Sequence, residues 1–350
     1  LSAEGLLPRA RGSAEVPAAT GETVVETVGL TRRFTVRDGV RRRQVSAVED
    51  LTVRIGAGEA VGYIGANGAG KSTTIKMLAG ILVPTAGTVR TCGLRPVKDR
   101  RRLARQIGVV FGQRSQLWWD LPVWESLRIL AAIHALPAAR RRARTDELVE
   151  RLEMAEFWSV PVRQLSLGQR MRAEIAAALL HSPRLVILDE PTIGLDVLSK
   201  QRLREFLVEE RAAYGTTLLL TTHDMGDVAR LCERVLVIDH GRLAFDGALA
   251  GLAGAAGADR VLVVDLAEPA ADLEVVGVVA ARHLGSEGRG LRQRLAFDAE
   301  VTTAARVLAA VSALVEVVDF RVEEPDIEDV VRRLYAATRH PPDASTVEHS

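Results

Sequence analysis

Lysine is scarce in this chain of 350 residues; it occurs at Lys71, Lys76, Lys98 and Lys200 only. Arginine carries the rest of the positive charge, so a retained lysine is a candidate for chemistry of its own. Lysine and arginine together (46) nearly balance aspartate and glutamate (45), which leaves a net charge of +1. Without a strong field of one sign, no nucleic-acid partner is expected. The two cysteines, Cys92 and Cys232, lie far apart without a CxxC pair, which excludes zinc ribbons and a disulfide framework. Reduced thiols in a cytoplasmic protein are the simplest account; a single disulfide is the alternative. No apolar run reaches the ~18 residues of a membrane span. The N-terminus lacks the apolar core of a secretory signal, so a chain soluble by itself is expected. Sustained heptads are missing too, which excludes long coiled-coil arms. Aromatics make up 4% of the chain, with four Trp, yet Trp118 and Trp119 stand side by side in "FGQRSQLWWDLP". Adjacent side chains point in different directions, so one core does not easily take both rings.

The pattern along the chain is that of an α/β protein. Residues 1–21 are small, Pro-containing and aperiodic, and are expected to be a disordered tail. "TVVETV" reads as a strand, and "DGVRRRQVSAVEDLTVRI" as a hairpin whose triplet Arg41–Arg43 caps a loop. The runs "RLVILDE", "TTLLLTTH" and "RVLVID" are continuous rather than alternating, as in strands buried on both faces of a parallel sheet. Helical patterns separate them. Between about residues 115 and 183 the strand signal gives way to arginine-rich helical patterns, an inserted α-helical subdomain. "GALAGLAGAAGAD", Gly247–Asp259, reads as a Gly/Ala hinge, with the linker proper at 248–259. It separates a domain at 22–247 from a small α+β domain at 260–337, with a tail at 338–350. In that second domain "RVLVVDL", "RQRLAFD" and "VEVVDFRV" read as strands, with Val318, Phe320 and Val322 on one face. Val301, Ala304, Leu308 and Val311 form a helical stripe. The clusters Arg100–Arg102 and Arg140–Arg142 read as solvated helix surface; contact with anionic lipid headgroups is the alternative.

Three stretches carry chemistry. "GANGAGKST", Gly65–Thr73, follows an apolar strand and opens a helix, the context in which G-x-x-x-x-G-K-[ST] cradles phosphate. Gly65, Asn67, Gly68, Ala69 and Gly70 let successive N–H groups curl around phosphate oxygens, and the helix start adds positive charge. Lys71 reaches the β- and γ-phosphates; Ser72, followed by Thr73, offers a hydroxyl to Mg²⁺. In "LVILDEP" a buried strand delivers Asp189 to the carboxyl edge of the sheet as a further Mg²⁺ ligand. Glu190 beside it is placed to polarise an attacking water. "LSLGQRMRAEIAAALL" offers Ser166 as N-cap and Gly168 for close approach, with the positive end of a helix directed at an anion.

These residues together resemble the nucleotide-binding subunit of ATP-binding cassette (ABC) transporters, from about Thr23 to Gly247. The resemblance implies the P-loop NTPase fold of that family: an α/β nucleotide-binding domain with an inserted α-helical subdomain, here followed by a small α+β C-terminal domain. It makes "GANGAGKST" the Walker A motif, "LSLGQ" the signature with Gln169 in fifth place, and "LVILDE" the Walker B motif with Glu190 as catalytic base. It makes Gln113 of "VVFGQ" the Q-loop glutamine at Mg²⁺ and the attacking water. Asp196 of "GLD" becomes the D-loop aspartate, and His223 of "LTTHD" the switch histidine at the γ-phosphate. Phe34 in "LTRRF" is the candidate that stacks on adenine, with a core position as the alternative. The cofactors implied are ATP and Mg²⁺. Ser166 and Gly168 would cover the ATP of a second nucleotide-binding subunit, with a homodimer expected.

"VFGQRSQLWWDLP", "PVRQLSLGQRMR" and "LDEPTIGLDV" resemble the branch that works with ABC-2 type permeases in export. "VEEPDIEDVVRRLY" resembles the end of that branch's accessory domain. The implied partner is an ABC-2 type membrane permease, which would hold the chain at the inner face of the cell membrane. One Trp of the pair is expected to pack in the helical subdomain and the other to meet the permease; burial of both is the alternative. A ribosome- or DNA-associated ABC ATPase and the ATPase of an ABC importer are the rival functions.

Overall fold

The computed structural model describes residues 21–38, 41–112, 115–222, 224–252, 259–273, 280–298, 301–323 and 330–331. The expected tail at 1–21, except Gly21, and the expected tail at 338–350 therefore lie outside the described residues, as does half of the linker, 253–258.

A six-stranded sheet organises the first part of the chain. Its order is β5 (Ile107–Phe111), β6 (Leu185–Asp189), β7 (Thr217–Thr221), β3 (Ala60–Gly65), β8 (Arg234–Asp239) and β9 (Arg242–Ala248). The first five are parallel, and β9 closes the edge antiparallel to β8. The continuous apolar runs are explained by burial on both faces. Leu185, Ile187, Leu219, Leu236 and Ile238 enter one apolar cluster, and Val186, Leu188, Leu218, Leu220, Val235 and Val237 the other. Burying one such side chain contributes about 1.5–3 kcal/mol, so neither face of the sheet can be left open. The strand β9 was not anticipated, because half-buried "RLAFDGA" lacks that density of apolar residues.

Against one face lies a three-stranded antiparallel sheet, ordered β2 (Arg41–Gly56), β1 (Thr23–Asp38), β4 (Ala86–Thr91). Arg41 pairs with Asp38 and Arg43 with Val36, so the arginine triplet belongs to strand β2 and does not cap a loop. The reason is the short connection: pairing runs as far as Asp38 and Arg41, which leaves two residues between the strands, the length of a tight hairpin. Between β3 and β4 runs α1 (Lys71–Leu78), and α2 (Arg100–Leu103) precedes β5. On the opposite face are α3 (Val123–Ile133), α4 (Ala138–Arg151) and α5 (Leu167–Leu179), with two short 3₁₀ turns between the last two. α5 returns to the sheet so closely that a Cβ on Gly108 of β5 would lie 2.2 Å from the Ala178 carbonyl oxygen. Two further helices, α6 (Val197–Tyr214) and α7 (Met225–Leu231), connect the remaining strands.

Beyond β9 the chain is not simply a hinge: Gly247 and Ala248 complete the strand, and Leu252 is buried in the main core. Then comes a four-stranded antiparallel sheet, ordered β11 (Ala281–Glu287), β12 (Arg292–Phe297), β10 (Arg260–Leu266), β13 (Val317–Glu323). One helix, α8 (Ala304–Ser312), packs Val307 and Val311 on Leu262, Val264, Leu295 and Phe297. The stripe starts later than expected. Val301 precedes the Thr303 cap and is 62% exposed, and Val307 supplies the buried turn. Strand β11 escaped notice because "ARHLGSE" has one large apolar residue, exposed Leu284. In β13 Val322 packs inward while Val318 and Phe320 are exposed: β13 is an edge strand, and its register with β10 slips beside Leu266. Val330 and Val331 are buried in the apolar cluster beneath α3 and α5 on the six-stranded sheet.

Candidate functional site

Strand β3 ends at Gly65 and helix α1 starts at Lys71, so the intervening loop crosses the carboxyl edge of the parallel sheet. Gly70 has φ of 105°, and a Cβ there would stand 2.2 Å from the Ala47 carbonyl oxygen. Gly68 also has positive φ, but its missing Cβ faces open space. The loop thus presses its back against β2 and leaves its front free for a ligand. Thr74 braces it by donating to the Gly70 carbonyl (3.2 Å) and accepting from the Tyr63 hydroxyl (3.0 Å). Lys71 Nζ folds back onto the carbonyl oxygens of Gly65 (2.5 Å) and Ala66 (3.2 Å). Partial burial lowers the Lys71 pKa, while Glu190 and Asp189 oppose that shift.

A cavity of about 490 Å³ opens in front of this loop. Asn67, Gly68, Gly70, Lys71, Ser72 and Thr73 form one wall and Phe111, Gly112, Asp189 and Glu190 the other. Asp189 ends β6, where the Thr221 hydroxyl donates to its Oδ1 at 2.5 Å. Glu190 adopts φ of 56°, a left-handed backbone that a non-glycine residue rarely takes, and its N–H is held by the Thr221 carbonyl at 2.9 Å. Two carboxylates, a hydroxyl and an amine therefore converge on one cavity lined by free-facing loop backbone. An oxygen donor set of Ser72 and Asp189 beside a phosphate cradle fits Mg²⁺ bound with a triphosphate. Gly65 and Ala69 lie behind the loop: Ala69 is buried and its carbonyl accepts from Gly241 N–H at 3.0 Å.

The signature residues stand elsewhere. Ser166 caps α5 in a reciprocal box, accepting from Gln169 N–H (3.2 Å) while Gln169 Oε1 accepts from Ser166 N–H (2.9 Å). A Cβ on Gly168 would be 3.6 Å from Leu195. None of Ser166, Gly168 and Gln169 lines the Lys71 cavity. Asp196 caps α6, accepting from the Ser199 N–H (2.9 Å) and hydroxyl (2.6 Å), which hold its carboxyl below the usual range. It is not on the cavity wall either. Phe34 is half-buried in β1, outside the apolar clusters, with the Arg32 guanidinium 4.6 Å from its ring centroid.

Gln113 and His223 lie outside the described residues. The described residues that follow each of them are hydrogen-bonded. Past Gln113, Ser115 donates to the buried Glu174 of α5, whose other oxygen accepts from Gln116 N–H at 3.2 Å. Past His223, Asp224 caps α7 and pairs with Lys200 at 2.5 Å. The fully buried Asp227 accepts from Thr192, Thr222 and Arg204. Sequence reasoning missed Tyr63, Thr221, Glu174 and Asp227, whose partners come from other segments and leave no local signal.

The tryptophans also differ from expectation. Trp118 is 38% and Trp119 54% exposed, so neither ring is packed away. A turn closed by Leu121 N–H on the Trp118 carbonyl (3.1 Å) holds this stretch, and Leu117 supplies its buried side chain. Arg100–Arg102 are exposed, as are Arg140 and Arg142. Both cysteines are free and buried. Among the described residues no helix is long and apolar enough to cross a membrane.

Comparison with known proteins bears on this constellation. The family described as "ABC transporter" matches residues 48–193. The ABC transporter ATP-binding protein NatA of Bacillus subtilis (strain 168) is 34% identical over 212 residues, 61% of this chain and 86% of NatA. The daunorubicin resistance ATP-binding protein DrrA3 of Streptomyces coeruleorubidus is 32% identical over 315 residues, 88% of this chain and 98% of DrrA3. Nod factor export ATP-binding protein I of Ralstonia nicotianae is 38% identical over 221 residues, 61% of this chain and 67% of that protein. Among solved structures, an ATP-binding subunit of an ABC transporter superposes with a TM-score of 0.60 at 30% identity, covering 66% of this chain and 92% of that one. A dimeric, post-hydrolysis ATP-binding cassette bound to ADP and Pi gives 0.57 at 27%, covering 64% and 98%. This chain belongs to the family of ABC transporter ATP-binding proteins, and its fold is the P-loop ATPase fold of that family.

Proposed function

We propose that the protein powers an ABC-2 type membrane exporter, and that it does so as a pair of chains closing over ATP. The observation that carries the pairing is the separation of the two half-sites: Ser166, Gly168 and Gln169 are off the cavity that Lys71, Asp189 and Glu190 share. A chain so built cannot seal its own nucleotide. A second copy turned head to tail supplies the missing cover, and the same patch serves both chains by symmetry. Export is supported by the likeness to Nod factor export ATP-binding protein I, and the likeness to the daunorubicin resistance protein DrrA3 covers 88% of the chain and so reaches into the C-terminal domain. The division into a nucleotide-binding domain at 22–247 and an accessory domain at 260–337 belongs to the same proposal.

In this reading the loop Gly65–Gly70 and the start of α1 hold the β- and γ-phosphates, and Lys71 exchanges its carbonyl partners for phosphate oxygens. Ser72, Asp189 and Gln113 would hold Mg²⁺, which supplies charge neutralisation at the phosphates when bound. Glu190 takes a proton from the attacking water, its strained backbone aiming the carboxylate into the cavity. His223 contacts the γ-phosphate, and Phe34 presents a π-face to adenine. Ser166 and the N-terminus of α5 stabilise the γ-phosphate of the facing chain. Hydrolysis removes that charge and the pair relaxes, which is the step the permease converts to movement. The exposed Trp118–Trp119 pair is the anchor for the permease, bringing apolar area at small rotamer cost.

The test is Glu190→Gln. The variant binds ATP, hydrolyses it at least ~100-fold more slowly, and accumulates as a pair of chains in ATP during size-exclusion chromatography. Wild-type turnover in that variant would remove Glu190 from the role of base. Recovery of a ribosome, DNA or a solute-binding protein from membranes, in place of a permease, would redirect the function.

A further inference from the structure

The helical part of the chain and α6 are joined by a buried charge cluster that the catalytic scheme does not use. Glu210 of α6 is fully buried. One of its oxygens accepts from Arg144 and the other from Arg151 at 2.7 Å, both arginines belonging to α4. Glu147 of α4 closes the cluster, with Arg144 at 2.9 Å, Arg151 at 3.0 Å and the Tyr214 hydroxyl donating at 2.6 Å. The guanidiniums of Arg144 and Arg151 lie over the rings of Tyr214 and Phe206, 4.3 and 4.7 Å from their centroids. Apolar side chains would hold two helices together as strongly. What one carboxylate gripping two guanidiniums adds is a single alignment, since sliding either helix by a turn breaks both bonds.

The position of the cluster gives that alignment a purpose. α6 begins at Asp196, and α4 leads to the signature: its end is tied to α5 by Arg172, which donates to the carbonyls of Leu152 (3.1 Å) and Glu153 (3.2 Å). Between the two lies a second cavity of about 490 Å³, bordered by Arg151, Gly168, Leu195 and Ser199. The signature meets the Asp196 loop directly where Leu167 lies on Gly194, whose missing Cβ would be 2.4 Å from it, and where Gly168 faces Leu195. The charge cluster adds a fixed alignment to these contacts, with the exposed pair Arg202–Glu153 (2.5 Å) as a second bridge beside the cavity.

We propose that Glu210 is a positioning residue for ATP hydrolysis, holding the signature end of α5 at the spacing from the Asp196 loop that a facing chain's ATP requires. This rests on the two-chain reading above. None of the cluster lines the Lys71 cavity, so binding of nucleotide to one chain should be indifferent to it.

The experiment compares full-length wild type with Glu210→Gln. The expected result is a KM for ATP within about twofold of wild type and a kcat lower by about tenfold, the size of a coupling effect carried through packed elements. Combined with Glu190→Gln, the variant should need about tenfold more protein to pair in ATP. To separate positioning from stability, Arg144→Met, Arg151→Met and Glu210→Leu are combined. This apolar cluster should melt at or above the wild-type temperature and still show the reduced kcat. Should Glu210→Gln not fold, Arg151→Gln, which leaves the more deeply buried Arg144–Glu210 contact, should give the same split in milder form. Return of full kcat in the apolar variant, or an unchanged kcat in Glu210→Gln and Arg151→Gln, overturns the proposal. Failure of Glu190→Gln alone to pair in ATP overturns the two-chain reading itself, and the role of Glu210 with it.

Discussion

His181 makes acid stability a quantitative test of how the helical part meets the sheet. It follows α5, and its ring stacks on that of His134 at the end of α3, with centroids 3.9 Å apart and planes 8° from parallel. Nε2 is 3.0 Å from the Ile107 carbonyl; a carbonyl only accepts, so Nε2 carries the proton. Nδ1 is buried without a hydrogen-bond partner among the described residues. Protonating it would place a positive charge in that buried site. Burial first, then His134, push the His181 pKa down to about 4; the Ile107 carbonyl opposes the shift and Arg140 adds to it. The His134 pKa is lowered as well, by burial and by Arg105.

A depressed histidine contributes stability above the unfolded value of 6.5, and loses it as pH falls toward the folded value. The unfolded chain takes up the proton while the folded chain refuses it. The loss is about 1 kcal/mol near pH 5.5 and about 2.5 kcal/mol near pH 4.5. The perturbation is His181→Gln, which keeps a donor for Ile107 and cannot titrate. Urea unfolding of both chains at several pH values gives the difference at each. The variant should be less stable near neutral pH and gain on wild type by about 2.5 kcal/mol on acidification to about pH 4.5. A difference that stays constant with pH would refute both the buried neutral ring and the contact that creates it.

Gly70→Ala should cost at least about 2 kcal/mol and abolish ATP binding, because the new Cβ meets the Ala47 carbonyl in a left-handed backbone; melting temperature and labelled-nucleotide binding report the two effects. Burial pushes the thiols of Cys92 and Cys232 up to about 11 and about 12, so a thiol reagent at mildly alkaline pH should label neither until denaturant is added; rapid labelling of the native chain would contradict the packing. Trp118→Ala and Trp119→Ala should change stability by less than about 1 kcal/mol, since both rings are exposed, yet each should reduce co-isolation of the membrane partner. Unfolding of either variant with no selective loss of partner would return the pair to a structural role.

The phosphate loop was legible from the sequence because its function is a property of local backbone. Glycines at 65, 68 and 70 permit the turn, Lys71 and Ser72 follow at fixed spacing, and no distant residue is needed to recognise them. The capping box of Ser166 and Gln169 is local in the same way. So is the parallel sheet, which announces itself through strands too apolar to have a wet face. Edge strands β9 and β11 carry no such mark, since an edge buries less and tolerates polar residues. The rest was decided by tertiary structure alone. Thr221 holds Asp189 from 32 residues away, and Arg144 meets Glu210 across 66. The exposure of both tryptophans beside a buried Leu117 is likewise a fact of the folded chain. A contact between distant segments exists only once each helix and strand has taken its place, and single residues carry no sign of the partner they will meet.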